Sequence, residues 1–119
     1  MPENSQAPRT ADVPRNLKPY FLCFLRKGPQ WDITQGHEDL MLLHLTFFRR
    51  QIEAGKMVMA GPVLEENDEL RGICILRAEN LQAARALADE DPAIQSGHLT
   101  VEVLPALLPS LDAVKVEYS

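Results

Sequence analysis

The chain has 119 residues, with 17 Asp and Glu against 12 Lys and Arg and a formal charge of −5. That length suits one domain with a single core, burying about two-thirds of the surface its unfolded chain exposes. The negative balance argues against nucleic acid as a partner, because that affinity comes mainly from Lys and Arg neutralising phosphates.

Residues 1–17 contain Pro2, Pro8 and Pro14 and little apolar content. Such a segment buries too little surface to offset its ordering entropy and predicts a flexible tail. It has neither a basic n-region nor an apolar h-region, and no run in the chain approaches a membrane span. A cytoplasmic protein without membrane contact is the expectation. Residues 20–25, Tyr-Phe-Leu-Cys-Phe-Leu, form a continuous apolar run ahead of Gly28-Pro29 and predict a buried central strand. Cys23 and Cys74 lie inside apolar runs without C-x-x-C spacing, which suits buried free thiols rather than a disulfide framework.

Residues 38–54 predict a helix. At about 100° per residue, Leu40, Met41, Leu45, Phe47, Phe48 and Ile52 share one broad arc, with Asp39, Thr46, Arg50 and Glu53 opposite. His44 interrupts the apolar face, and Gly55 suits the position just past the helix end. Residues 57–60 predict a short strand broken by Gly61-Pro62, and residues 71–76 its return partner across an acidic turn. Asn80 can cap a second helix from Leu81 to about Glu90. Asp91 precedes Pro92 and is pushed out of helical geometry. Residues 99–104 alternate as a half-buried strand. In the C-terminal extension, residues 107–119, the pattern at 114–118 predicts an edge strand or dimer arm.

Strand, helix, strand, strand, helix, strand predicts an α+β, ferredoxin-like βαββαβ antiparallel sheet with both helices on one face. In that topology the N-terminal part of the first helix and the C-terminal end of the second share one edge. His44 and Asp91 therefore meet there, although 47 positions apart, together with the loop to Trp31 and the Gly61-Pro62 corner. Four converging segments mark the place for a pocket. The other sheet face lacks helical cover, and an open apolar face predicts a homodimer joined through its sheets.

An imidazole oriented by a carboxylate works as a proton-transfer group near neutral pH. His44 and Asp91 are the catalytic candidates, and Lys27, Trp31, Phe48, Gly61 and Pro62 the candidates for binding a small-molecule substrate. Each has a plainer alternative: His44 as a satisfied core histidine, Asp91 as a helix terminator, Trp31 as a core plug, Lys27 as a solvated strand end. His37 and His98 suit the surface. No H-x-x-x-H spacing, nucleophile signature or Gly-rich phosphate loop is present, so neither metal nor cofactor is expected. Substitution of His44 or Asp91 at such an edge is expected to leave the fold nearly intact. A non-catalytic dimeric module that binds a metabolite or protein through the same pocket is the rival reading.

These residues resemble one family. His44 in a helix leading to Glu53-Ala-Gly-Lys-x-x-x-Ala-Gly61-Pro62, then Arg71-Gly72, then Ala88-Asp-x-Asp91-Pro92 and Gly97, resembles the YCII-related family across about residues 18–106. The resemblance implies a dimeric α+β barrel and a His–Asp dyad at His44 and Asp91. A relative in that family is a chlorohydroxyquinol dehydrochlorinase, which implies lyase-type proton abstraction. The Lys27-Gly-Pro-x-Trp31 stretch is similar to one branch, from which this chain departs with Gln51 in place of an aliphatic residue.

Overall fold

A computed structural model describes residues 10–66 and 68–119. Four strands form one antiparallel sheet: β1 (Leu17–Lys27), β2 (Met57–Pro62), β3 (Leu70–Leu76) and β4 (Leu99–Pro109), in the order β2-β3-β1-β4. Helices α1 (His37–Glu53), α2 (Leu81–Ala88) and the one-turn α3 (Pro92–Gln95) complete the α+β, ferredoxin-like arrangement.

The helices share one sheet face because alternate strand residues are apolar there. Phe21 and Cys23 of β1, Cys74 and Leu76 of β3 and Val103 of β4 are buried against Ala84, Leu87 and Ala88 of α2 and Phe47, Phe48 and Ile52 of α1, while Leu25 of β1 packs with Ala93, Leu99 and Phe48. Small residues on α2 let it approach closely, and Asn80 caps it by accepting from Ala83 N at 2.8 Å. The end of α1 follows from Gly55, whose φ of 77° only glycine adopts without strain. Gly55 N donates to Ile52 O and Lys56 N to Gln51 O, the paired bonds that close a helix. Cys23 and Cys74 face each other in register across β1 and β3, both free and buried. The neighbouring Cys23 thiol and burial together push the Cys74 thiol well up.

Several boundaries differ from the sequence expectations. Gly61-Pro62 does not break its strand but ends β2 in register with Ile73 and Gly72. The last strand does not stop at residue 104; it continues through Pro105 to Pro109, paired with β1 back to Leu17. One reason covers both: β2 and β4 are the sheet edges, where a missing proline N–H breaks no necessary bond. Residues 114–118 form no strand. They belong instead to a strap in which Leu111 N donates to the Tyr20 hydroxyl at 2.7 Å and Asp112 pairs with Lys18 and Arg77. Arg49 of α1 lies over the Tyr118 ring. The expected tail at residues 1–17 lies outside the described residues as far as residue 9; beyond it, Thr10–Asp12 form a 3-10 turn and Leu17 is already in β1.

The face opposite the helices carries Leu22, Phe24, Ile73, Ile75 and Leu104, neighbours in register, with Ile73 and Leu104 more than two-fifths exposed.

Candidate active site

Of α1, only His44 is buried. Its lower half, from Phe47 to Ile52, packs on the core, while Met41 and Leu45 are exposed, at 42% and 55%. The arc expected as one core face is thus split, and its upper half lines a cleft of about 480 Å³. His44 sits where the two halves meet.

Asp91 arrives from the other side. α2 stops at Ala88 because the chain must turn before Pro92, and Asp91 takes an extended conformation (φ −64°, ψ 123°) as the residue capping α3. Its Oδ1 accepts from Ala93 N at 2.9 Å. The same carboxylate faces His44 Nδ1, at 2.9 Å from Oδ1 and 2.7 Å from Oδ2. Asp91 is 1% exposed and His44 9%. A carboxylate only accepts, so Nδ1 carries the proton and donates it to Asp91. Nε2, the nitrogen left for the cleft, is then an acceptor. The tilted Phe48 ring, 4.3 Å from the imidazole centroid to centroid, holds the orientation from a second side.

This burial corrects one expectation. His44 and Asp91 do not lie at a forgiving edge; they are a satisfied buried pair, and removing either strands its partner.

Of the expected binding residues, Trp31, Phe48, Gly61 and Pro62 all line the cleft with His44. Lys27 does not: its ammonium lies over the Trp31 ring, 5.8 Å from the centroid. Gln51 also lies outside the lining. Three ionisable lining residues were not expected there. His37 opens α1 at the rim, and Arg71 and His98 stand in the walls. His98 is half-buried rather than a surface residue; its Nε2 donates to Ile33 O at 2.9 Å, and its Nδ1 lies 2.8 Å from the Ser96 hydroxyl. With both nitrogens engaged it is a wall, not a base. Single-residue spacing offers no sign of it, because the contact spans 65 positions. Among the described residues no group of three or more His, Cys, Asp or Glu is arranged to hold a metal ion. Nor, among the described residues, is any helix long and apolar enough to cross a membrane.

The model of the YCII-related domain matches residues 20–106. The chain belongs to the YCII-related family. The match takes in all four strands except the ends of β1 and β4, and both His44 and Asp91. No curated protein matches the sequence. Among solved structures, the chain is similar to 5-chloro-2-hydroxyhydroquinone dehydrochlorinase (TftG) from Burkholderia phenoliruptrix AC1100, in complex with 2,5-dihydroxybenzoquinone. The TM-score is 0.52 at 20% identity, over 73% of this chain and 90% of that one. At that identity the likeness concerns the fold.

Proposed function

We propose that this YCII-related protein is a cofactor-independent small-molecule enzyme of lyase type. His44 is its general base, and Asp91 orients the imidazole and stabilises its charged form. The observation that supports this is the buried Nδ1–carboxylate contact of 2.7 Å, which sets one tautomer and leaves Nε2 for the cleft. Nε2 takes an acidic proton from the substrate, and the electron pair left behind expels a leaving group such as chloride. Trp31, Phe48, Gly61 and Pro62 shape the substrate's place. A hydrolase would use the same base on water.

The protein acts as a homodimer, packing two open sheet faces into an α+β barrel. The row Leu22, Phe24, Ile73, Ile75 and Leu104 supports this, since so contiguous an apolar face is usually covered. Two buried free thiols suit the reducing cytoplasm.

A non-catalytic metabolite-binding module is the second reading. It is favoured by one observation: His98, the histidine in the cleft wall besides the rim residue His37, has both ring nitrogens committed and so is no partner acid to His44. Chloride release from 5-chloro-2-hydroxyhydroquinone, the compound for which the similar dehydrochlorinase is named, tests the pair of readings. The enzyme reading expects release by the wild type and its loss in His44→Gln. Binding without release, across halogenated hydroxyquinols and related β-eliminating compounds, would leave the binding module as the answer.

A further inference from the structure

The chain is acidic, yet the ionisable side chains lining its cleft are His37, His44, His98 and Arg71, all of them basic. Among the described residues no Asp or Glu lines the cleft; Asp91 lies behind His44, its carboxylate turned to Nδ1 and to Ala93 N. With 17 acidic residues in the sequence, such segregation has an electrostatic consequence. A concave site with apolar walls and one sign of charge concentrates ligands of the other sign.

Arg71 carries the permanent charge. It belongs to β3, in the hairpin wall of the cleft, while His44 comes from the helix wall. Its Nε donates to Leu70 O at 3.1 Å and its Nη2 to Glu65 O. Both acceptors are neutral carbonyls, and no carboxylate pairs with Arg71 among the described residues. The guanidinium is therefore held in position without being neutralised. A guanidinium has five N–H donors; with the one on Nε and one on Nη2 engaged, both on Nη1 and the second on Nη2 remain for a ligand. Their planar fork matches two oxygens of one acidic group.

We propose that the cleft takes a small organic anion, its charge on oxygen and its body flat and apolar, with Arg71 as the residue that binds the acidic group. This names the substrate class for the site in which His44 is read as the base, and so rests on that reading. The apolar body lies along Trp31 and Phe48, and the proton to be removed faces His44 from the end away from Arg71. Binding an anion also holds the substrate before any proton moves, which makes Arg71 separable from the base by experiment.

Benzoate and benzamide are matched probes, alike in shape and different in charge. Ligand-detected NMR titrations would compare them on the wild type, Arg71→Gln and Arg71→Lys, each checked by circular dichroism. The wild type is expected to bind benzoate at least about tenfold more tightly than benzamide, a difference of about 1.4 kcal/mol. Arg71→Gln should erase that preference and Arg71→Lys restore part of it. Equal binding of the two probes, absence of benzoate binding at millimolar concentration, or a preference that survives in Arg71→Gln would each overturn the proposal. Should Arg71→Gln fail to fold, an undiminished preference in Arg71→Lys would overturn it, since a lysine cannot reproduce the fork. A benzoate preference without any chloride release would instead reject the enzyme reading and leave the anion site standing.

Discussion

At the scale of single residues, the pair His44–Asp91 combines two roles that sequence spacing alone keeps apart. Asp91 caps α3 through Ala93 N and also fixes the imidazole, so its removal strands two buried donors. Asp91→Ala is expected to lower stability by about 1–3 kcal/mol, the usual cost of buried groups left unpaired. Asp91→Asn keeps an oxygen for the cap and should cost less in a thermal melt. With a substrate in hand, Asp91→Asn and His44→Gln should each slow turnover by roughly 10²-fold or more. Unchanged turnover in a folded His44→Gln protein would mean that His44 is structural.

At the scale of elements, two connections hold the cleft and the opposite end of the domain. The loop to Trp31 is tied to the start of β4 by Gly28 N→His98 O and Gln30 N→Gly97 O, both 2.9 Å. That approach leaves no room at Gly28: a Cβ there would stand 2.2 Å from the Gly97 carbonyl oxygen. Because the obstacle is backbone, Gly28→Ala should destabilise on the order of 1–3 kcal/mol. Trp31, the only tryptophan, should report the displaced loop as a red-shifted emission. At the other end, the C-terminal strap hangs on Asp112. The Lys18 hydrogen bond holds the Asp112 carboxyl below its ordinary value. A carboxyl lowered on folding contributes stability above its ordinary pKa and loses it as pH falls through the lowered value. The group is exposed, so salt weakens the effect. A carbon-13 titration should place the Asp112 midpoint below the usual Asp range. Asp112→Asn should speed amide exchange at Leu111 with little change in melting temperature.

At the scale of the whole molecule, the uncovered sheet face carries the prediction of a dimer in solution. Leu22 is in register with Ile75 on one side and Leu104 on the other, and Phe24 with Ile73. These residues are the alternate partners of the core-facing set, and no helix reaches them. Sedimentation should find a dimer at micromolar concentration, with a largely apolar interface on the order of 1,600 Å² or more. Ile73→Glu with Leu104→Glu should give a monomer. A wild type that sediments as a monomer would remove the barrel as well as the dimer.

Much of this was legible in order and periodicity. The alternation of strand and helix, the Gly55 stop and the runs around Cys23 and Cys74 are local consequences of side-chain spacing and backbone freedom. They sufficed to place His44 and Asp91 at one edge through topology. What local patterns do not contain is the environment a residue finally meets. Gly61-Pro62 and Pro105 resemble breaks, yet both lie in strands, because edge position cancels the cost of a missing N–H and sheet order is a tertiary property. Met41 and Leu45 carry the same hydropathy as core residues, and only the geometry of α1 over the sheet turns them toward a cleft. His98 joins the site through a contact with Ile33, 65 positions away, and Arg71 through the way its hairpin folds against the helix wall. The sequence by itself determined the order along the chain of the four sheet strands and the two longer helices, and which two residues meet. Tertiary structure decided that their meeting is buried, and that the cleft beside it is basic within an acidic protein, because burial and field are sums over residues that chain order does not bring together.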